Sequence, residues 1–386
     1  MEVVENIIII IGNWLSGLLG SFLPAWAVTL VMDVLVIIIL LVIGIVAVLA
    51  LTWMERKVAA RIGDRYGPNR WGPYGVFQAV ADAIKMLIKE DIVPKVVDRL
   101  AFNLAPAIVA FAAVMTYAVI PWGKGLTAAN LSIGVLYFAA IGSLGTIGIL
   151  TAGWASDNKY ALLSGFRSAA QLISYEIPMA LAIAAVALAS GSLSTQDIVL
   201  AQQEHGWFIF SMPAVFLVYL LAATAEMGRC PFDIMEADSE IIAGHMIEYS
   251  GMKFALFFLA EYINFFAISG IIVTLFLGGW LGPVLPSWLW FMIKVIAVIF
   301  VLMWVRNTFP RLRIDQVLKF SWKVLVPAAL VGILAAGLVY KLFDNPWLAG
   351  GSLLILNVIL LVVVLWLMGR AQRQKELAAE GAALRA

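Results

Sequence analysis

Four acidic residues lie within ten positions in the segment PFDIMEADSE. If residues 231–243 form a helix, Asp233, Glu236 and Glu240 fall at i, i+3 and i+7 on one face, and Asp238 points elsewhere. Like charges on one face repel, so the cluster must be hydrated, paired or partly protonated. A path for protons and an acidic surface that binds a basic partner fit this spacing equally well.

Three further glutamates lie inside long apolar runs: Glu176 in ISYEIP, Glu226 in ATAEMGR and Glu261 in LAEYIN. A charge at bilayer depth costs about 3 kcal/mol or more, so such groups usually face a bundle interior and mark proton or ion routes. The alternative for each residue is a structural ion pair between helices. Arg229 is a local partner for Glu226, and Lys294 is a cation inside a later apolar run.

A basic segment, ERKVAARIGDRYGPNRWGPYGVFQAVADAIKMLIKED, covers residues 55–91. Gly and Pro punctuate residues 67–75, which predicts a turn-rich loop. Residues 76–88 predict an amphipathic helix that lies flat at the membrane surface. Ordinary lipid anchoring explains the lysines, whereas the rigid turns, Gln78 and Asp82 require more than anchoring.

The elements that hold these residues are predicted to be membrane helices. The chain has 386 residues, is 63% hydrophobic and 13% charged, and has a mean hydropathy of +0.99, far outside the soluble range. Its apolar runs are about 20 residues long and are not alternating, which favours helices over a closed barrel. We predict an all-α polytopic membrane protein, a bundle of about nine transmembrane helices with amphipathic cytoplasmic helices, as a single membrane domain over residues 1–386. The candidate spans are 28–53, 100–120, 133–153, 169–190, 207–228, 252–278, 288–306, 323–341 and 349–369.

The distribution of basic residues predicts the orientation. Of the 25 Lys and Arg, 22 lie in alternate loops and the C-terminal tail, and only Lys124 and Lys341 lie on the other side. This asymmetry places the C-terminus, the loop 55–99 and the acidic loop 228–252 in the cytoplasm.

Several classes of function are disfavoured by what the sequence contains. A net charge of +1 argues against a nucleic-acid partner. The single cysteine, Cys230, leaves no cluster for iron–sulfur or structural zinc, and there is no nucleotide-binding fingerprint. We therefore expect no metal and no redox cofactor bound by this chain. His245 adjoins the acidic segment, where it could titrate near neutrality, although a lone histidine is more often structural.

Four long motifs resemble the H subunit of bacterial respiratory complex I, the counterpart of subunit 1 in the mitochondrial enzyme. They are the basic segment given above, GWASDNKYALLSGFRSAAQLISYEIP, AEMGRCPFDIMEADSEIIAGHMIEYSGMKFALFFLAEY and RLRIDQVLKFSWK. The resemblance covers about residues 28–340 in order. It implies a membrane subunit of a proton-pumping NADH:quinone oxidoreductase (ubiquinone or a related quinone). Such a subunit joins the peripheral and membrane arms, forms part of the quinone chamber and begins the acid path that couples quinone reduction to proton translocation.

The resemblance also implies roles for individual residues. Those on the quinone side are Arg56, Arg65, Gln78, Asp82 and Lys85. Those of the proton-coupling path are Arg167, Glu176, Glu226, Arg229, Glu236, Asp238, Glu240, Glu248 and Glu261, with Lys294, Arg306, Arg311 and Arg313 as cationic partners. Asp238 stands where Glu is usual, and Ser143 stands where some bacterial members carry Glu, which leaves the exact path open.

The resemblance further implies the surroundings of the chain. Quinone is the expected substrate, and FMN and iron–sulfur clusters are expected in partner subunits. The expected partners are the peripheral-arm subunits of the quinone site, small membrane subunits and lipid, in the inner (cell) membrane of a bacterium. Three alternatives remain: the corresponding subunit of a ferredoxin- or F420-linked complex or membrane hydrogenase, a stand-alone ion channel or antiporter, and a purely structural anchor.

Overall fold

The computed structural model describes residues 7–235, 242–343 and 345–383. Within these ranges the chain is helical, and the only extended pairing is an isolated bridge between Gly123 and Leu126. Eight helices are long and apolar enough to cross a membrane, which confirms the predicted all-α membrane fold. In chain order the helices are α1 (Ile7–Gly20), α2 (Ala25–Ile62), α3 (Phe77–Ile88), α4 (Arg99–Met115), α5 (Gly134–Ala155), α6 (Lys159–Ser190), α7 (Thr195–His205), α8 (Phe208–Ser211), α9 (Pro213–Glu226), α10 (Gly251–Phe276), α11 (Ser287–Thr308), α12 (Ile314–Phe320), α13 (Val326–Leu342) and α14 (Pro346–Ala383).

One predicted span, 207–228, is discontinuous. Helix α8 ends at Ser211, and α9 begins at Pro213, whose ring nitrogen cannot donate a hydrogen bond. The 14 residues of α9 reach only about 21 Å, short of the hydrocarbon thickness. Helix α9 packs against α6 inside the bundle, and broken backbone at membrane depth is tolerated where protein surrounds it.

Helix α2 is longer than the sequence pattern predicted. It runs unbroken through 38 residues, about 57 Å, so it extends well beyond a bilayer core. The predicted start of the loop at residue 55 therefore lies within the last turns of α2. The predicted helix over 76–88 is confirmed as α3, which covers Phe77–Ile88, and its position at the membrane surface stays a prediction.

The centre of the bundle is formed by α10 and α6. In their most apolar windows 72% and 56% of the residues are buried, compared with 17% in α2 and in α14. Helices α2 and α14 therefore present most of their apolar surface outward, where lipid or another membrane subunit can cover it.

Side chains of α6 fix the segments that follow α9 and α11. Gln171 Nε2 donates to the carbonyls of Ala225 and Phe232, both at 2.8 Å, and holds the turn after α9 against the bundle. Tyr175 Oη donates to the carbonyl of Val317 at 2.9 Å, which anchors α12 in the same way. These bonds position residues 231–235, the described start of the acidic segment, beside Glu226.

Candidate functional site

The first group of predicted site residues, here called the Asp82 cluster, joins α2 to α3. Arg56 Nη1 lies 2.5 Å from Asp82 Oδ2, Gln78 Nε2 donates to Asp82 Oδ1 at 3.4 Å, and Lys85 Nζ lies 3.6 Å from the same oxygen. Burial disfavours the charged carboxylate, but Arg56, Gln78 and Lys85 outweigh it and hold the pKa of Asp82 below its ordinary value. The structure thus brings together four of the five residues assigned to the quinone side.

A strained turn fixes the loop between these two helices. Tyr74 adopts a left-handed conformation with φ 56°, and Trp53 Nε1 donates to its carbonyl at 3.1 Å. At Gly75, with φ +76°, a Cβ would lie 2.2 Å from the carbonyl oxygen of Pro68. Only glycine fits so close an approach at that backbone angle.

Arg65, the fifth residue of that set, is placed elsewhere. Its side chain is exposed, three residues beyond the end of α2, and its backbone N–H donates to Ala60. Asp82 is held by Arg56, Gln78 and Lys85 instead. The role of Arg65 at the quinone side therefore stays a prediction.

The second group, the Glu55 cluster, is buried where α2, α10 and α11 meet the turn after α9. Arg229 Nη1 donates to Glu55 Oε2 at 2.6 Å, and Arg229 Nη2 donates to Glu261 Oε1 at 3.1 Å. Arg306 Nη1 donates to Glu55 Oε1, and Tyr262 Oη donates to Glu55 Oε2 at 3.1 Å. The side chain of Arg229 is only 4% exposed, so its charge is held by two carboxylates rather than by water.

Aromatic rings hold the same guanidinium on its faces. Arg229 Cζ lies 4.2 Å from the ring centroid of Phe265 and 4.8 Å from that of Tyr262. Stacking of this kind fixes the plane of the guanidinium, which lysine could not reproduce.

The described part of the acidic segment is tied to the start of α12. Arg311 Nη2 lies 2.8 Å from Asp233 Oδ2, and the Leu312 N–H donates to the carbonyl of Pro231 at 3.1 Å. Arg313 is the residue before α12, where its N–H donates to Gln316 Oε1. Residues 231–235 form turns, not the first helical turn that the sequence suggested.

A partly open cavity of about 100 Å³ adjoins the Glu55 cluster. This volume is enough for several water molecules. We call it the acid cavity; among the residues that line it are Thr116, Thr146, Glu226, Arg229, Asp233, His245, Glu261 and Arg306. It therefore connects the end of α9 with the buried ion pairs.

Glu226 lines this cavity, and Glu176 is linked to its wall through Thr146. Glu226 is 8% exposed, and its Oε2 has no hydrogen-bond partner among the described residues. Thr146 Oγ1, itself part of the cavity wall, donates to Glu176 Oε1 at 3.1 Å. The charge of Glu176 acts on Glu226, so the two carboxyls form an interacting pair.

Glu248 and Lys294 are not in this arrangement, and the role of Arg167 stays a prediction. Glu248 accepts a hydrogen bond from Asn158 Nδ2 at 2.7 Å and lines a separate groove near Lys159. Arg167 is half-buried on α6. The prediction that Lys294 partners the acids is wrong, because its Nζ donates to main-chain carbonyls beyond α10, at Leu277, Gly279 and Leu281.

Three acids of the PFDIMEADSE segment, Glu236, Asp238 and Glu240, lie outside the described residues. Their place in the proton-coupling path stays a prediction from the sequence.

The sequence leaves open whether His245 titrates near neutrality or is structural, and its burial decides against titration. It is 3% exposed in the short helix Gly244–Met246, and burial lowers its pKa to about 4. It is therefore neutral at physiological pH instead of titrating there.

Metal ligation has no support in the described part of the chain, where no group of three or more His, Cys, Asp or Glu side chains converges. The site's chemistry is that of proton exchange and charge pairing among carboxyls, guanidiniums, hydroxyls and any water in the cavity.

Sequence reasoning missed Glu55. It stands between Met54 and Arg56 at the inner end of a long apolar run, where it was assigned to the loop. The signal that could have found it is an acid at the basic, cytoplasmic end of a membrane helix. Only Lys and Arg are needed there to set the orientation, so a Glu at that place calls for another explanation.

A family profile described as NADH dehydrogenase matches residues 34–337, most of the chain. The chain belongs to the NADH dehydrogenase family. The second NADH-quinone oxidoreductase H subunit of Syntrophobacter fumaroxidans is 49% identical over 296 residues, which cover 74% of this chain and 89% of that protein. The NADH-quinone oxidoreductase H subunit of Carboxydothermus hydrogenoformans is 49% identical over 319 residues, 80% of this chain and 91% of that protein. The NADH-quinone oxidoreductase H subunit of Geobacillus kaustophilus is 48% identical over 295 residues, which cover 75% of this chain and 88% of that protein.

The family membership confirms the resemblance drawn from the four motifs. The match ends within α13, so helix α14 lies beyond the segment that the NADH dehydrogenase profile covers.

Proposed function

We propose that this chain is the H-type membrane subunit of a bacterial proton-pumping NADH:quinone oxidoreductase, with its C-terminus in the cytoplasm. The names of its relatives support the subunit identity over a ferredoxin- or F420-linked complex, a hydrogenase or a stand-alone channel. The observation that carries the proposal further is the adjacent pair Glu55 and Arg56. Arg56 binds Asp82 on the proposed quinone side, and Glu55 binds Arg229 in the bundle interior.

The proposed quinone side comprises the last turns of α2, the strained turn and α3. Large apolar side chains of α3 are exposed, and they suit contact with lipid or with the tail of a quinone; they are Phe77, Val80, Ile84, Leu87 and Ile88. Asp82 and its cationic partners lie on the same short helix or beside it. A surface with an apolar face beside a charged cluster fits a substrate that has a long tail and a polar head.

The proposed proton-coupling path begins in the acid cavity. Glu261, Glu226 and Glu176 are carboxyls at membrane depth, and the first two share one cavity that has room for water. Protons move along carboxyls and water when each group lies within hydrogen-bond reach of the next. Asp233, with Glu236, Asp238 and Glu240, would extend this path toward the cytoplasm.

The remaining parts of the reaction belong to partner subunits. FMN and iron–sulfur clusters in the peripheral arm would carry electrons from NADH, and quinone would be reduced next to the Asp82 cluster. Peripheral-arm and small membrane subunits are the proposed protein partners. This chain would contribute binding surface, fixed charge and exchangeable protons.

Substitution of Glu226 by Gln tests the proton path, because it keeps the shape and removes the titrating group. We expect an assembled complex in which quinone reduction and proton pumping fall at least about tenfold. Glu226→Asp, which restores a carboxyl, should recover much of the loss. Glu204→Gln, an exposed acid on α7, serves as the matched control.

Normal rates and normal pumping in Glu226→Gln would contradict an essential proton role. If Glu226→Gln does not assemble, the Asp variant and the control still decide the question, since a purely structural glutamate would not be rescued by a shorter acid.

A further inference from the structure

Three buried polar atoms around the acid cavity have no partner among the described residues: Glu226 Oε2, Arg229 Nε and His245 Nδ1. Buried polar atoms are nearly always paired, either with protein or with ordered water. All three residues line the same cavity of about 100 Å³, whose wall combines apolar side chains with several charged and hydroxyl groups and which is large enough to hold water. The cavity is therefore built for a small group of ordered water molecules.

His245 is the uncharged member of this set, and the fold holds it firmly. Its ring packs edge-on against Phe257, with 5.4 Å between the centroids. The preceding Gly244 has φ +66°, and a Cβ there would lie 2.3 Å from the carbonyl oxygen of Met235. Ser164 Oγ donates to that same carbonyl at 3.1 Å, so the short helix packs against backbone that α6 holds in place.

A neutral imidazole has one donor and one acceptor nitrogen, so it can take part in a hydrogen-bonded chain without a net charge. Burial keeps His245 in this form at physiological pH, since it lowers the pKa to about 4. Among the other residues that line the cavity, several carry groups that are charged or able to be charged: Glu226, Arg229, Asp233, Glu261 and Arg306.

We propose that His245 is a positioning residue of the acid cavity, where its Nδ1 holds a water molecule that continues to the carboxyl of Glu226. The inference rests on the proposed proton path, and it adds a group that the motifs did not assign to that path. The water would give Glu226 Oε2, which lacks a protein partner among the described residues, a hydrogen bond that links it to His245.

Two substitutions separate this role from simple packing against Phe257. His245→Phe keeps a ring of similar size and removes both nitrogens, whereas His245→Asn removes the ring and places an amide near the position of Nδ1. We expect His245→Phe to slow pumping-coupled quinone reduction about fivefold, the factor for one lost hydrogen bond, and His245→Asn to retain most of the rate. His205→Phe, on α7 at a distance from the cavity, is the matched control.

The opposite order, with the Asn variant impaired and the Phe variant normal, would assign His245 to packing and overturn the proposal. Equal losses or normal rates in both variants would overturn it as well. If Glu226→Gln alone is impaired, the proton path stands and only the role of His245 fails; if Glu226→Gln is normal, the path itself fails.

A direct measurement covers the case in which the Phe variant does not assemble. A high-resolution density map of the unaltered complex should show a water molecule within hydrogen-bond distance of His245 Nδ1. A protein atom at that position, or a dry cavity, would overturn the proposal whatever the variants do.

Discussion

Glu55 and Arg56 are adjacent on α2, yet their side chains bind two separate clusters. Glu55 Oε2 accepts from Arg229 at 2.6 Å and from Tyr262 at 3.1 Å, whereas Arg56 Nη1 lies 2.5 Å from Asp82 Oδ2. Successive residues of a helix point about 100° apart, so one turn of α2 reaches both α3 and the bundle interior. A shift of α3 that moved Arg56 would therefore act on Glu55 as well.

Substitution of Glu55 by Gln should weaken the complex and its activity together. It removes the charge that binds two guanidiniums, one of them almost fully buried. Breaking one partner of a buried pair typically costs about 3–5 kcal/mol. The thermal unfolding temperature of the assembled complex and its quinone-reduction rate should both fall.

The exposed acid Glu90 provides the control for this substitution. Glu90→Gln changes charge to the same extent near the same loop and should leave both measurements unchanged. A Glu55→Gln complex with unchanged unfolding temperature and unchanged quinone-reduction rate would show that the charge of Glu55 contributes to neither stability nor activity.

The Asp82 cluster should add no pH dependence in the physiological range. Burial raises the pKa of Asp82, but the bond and charge of Arg56 outweigh it, so the pKa lies below the ordinary 3.8. The ion pair is then fully present above that value and is lost only as pH falls through the lowered pKa. Asp82→Asn should reduce quinone reduction by a constant factor between about pH 5 and 8, without changing the shape of the profile.

Asp64→Asn is the matched control, because Asp64 is exposed and left-handed with φ 51°, a conformation that Asn tolerates. If the rate of Asp82→Asn falls toward acidic pH in a way that the rate of the control does not, the prediction that Asp82 adds no pH dependence in this range is contradicted.

Much of the fold follows from local pattern. Helix α3 matches its predicted range to within one residue, because amphipathic periodicity and the preceding Gly–Pro turns are local signals. The contacts of Glu55 are not local: Arg229, Tyr262 and Arg306 lie 174, 207 and 251 residues further along the chain. No spacing in a single sequence reveals such partners.

Two residues show why charge alone misleads within a membrane protein. We expected Lys294 to meet an acid, but the segment after α10 offers main-chain carbonyls, and these satisfy an ammonium equally well. The sequence leaves open whether His245 titrates near neutrality or is structural, and burial against Phe257 decides its state. Burial and helix ends are properties of the fold, so the sequence could not supply them.

Ala83 on α3 offers a test of quinone access. Its side chain is exposed, while Ala79 one turn earlier is buried and would be overpacked by a larger residue. Ala83→Trp should slow the reduction of long-tailed quinones more than that of short-tailed ones, because only a long tail must pass along the apolar face of α3. Ala128→Trp, exposed elsewhere in the chain, should affect neither; equal slowing of both quinones would count against the assignment.

Lys294 should matter for stability and not for coupling. Its Nζ donates to three main-chain carbonyls beyond α10 and lies 4.5 Å from the ring centroid of Trp207. Lys294→Met keeps the length of the side chain but leaves those carbonyls without their donor, which should cost about 2–3 kcal/mol. The thermal transition of the assembled complex should move down, while the number of protons pumped per electron stays unchanged. Lys341→Met, at an exposed position in the last turn of α13, should change neither quantity. A lowered pumping ratio at ordinary stability would instead return Lys294 to the proton path, because only a partner of the acids would alter coupling without loosening the fold.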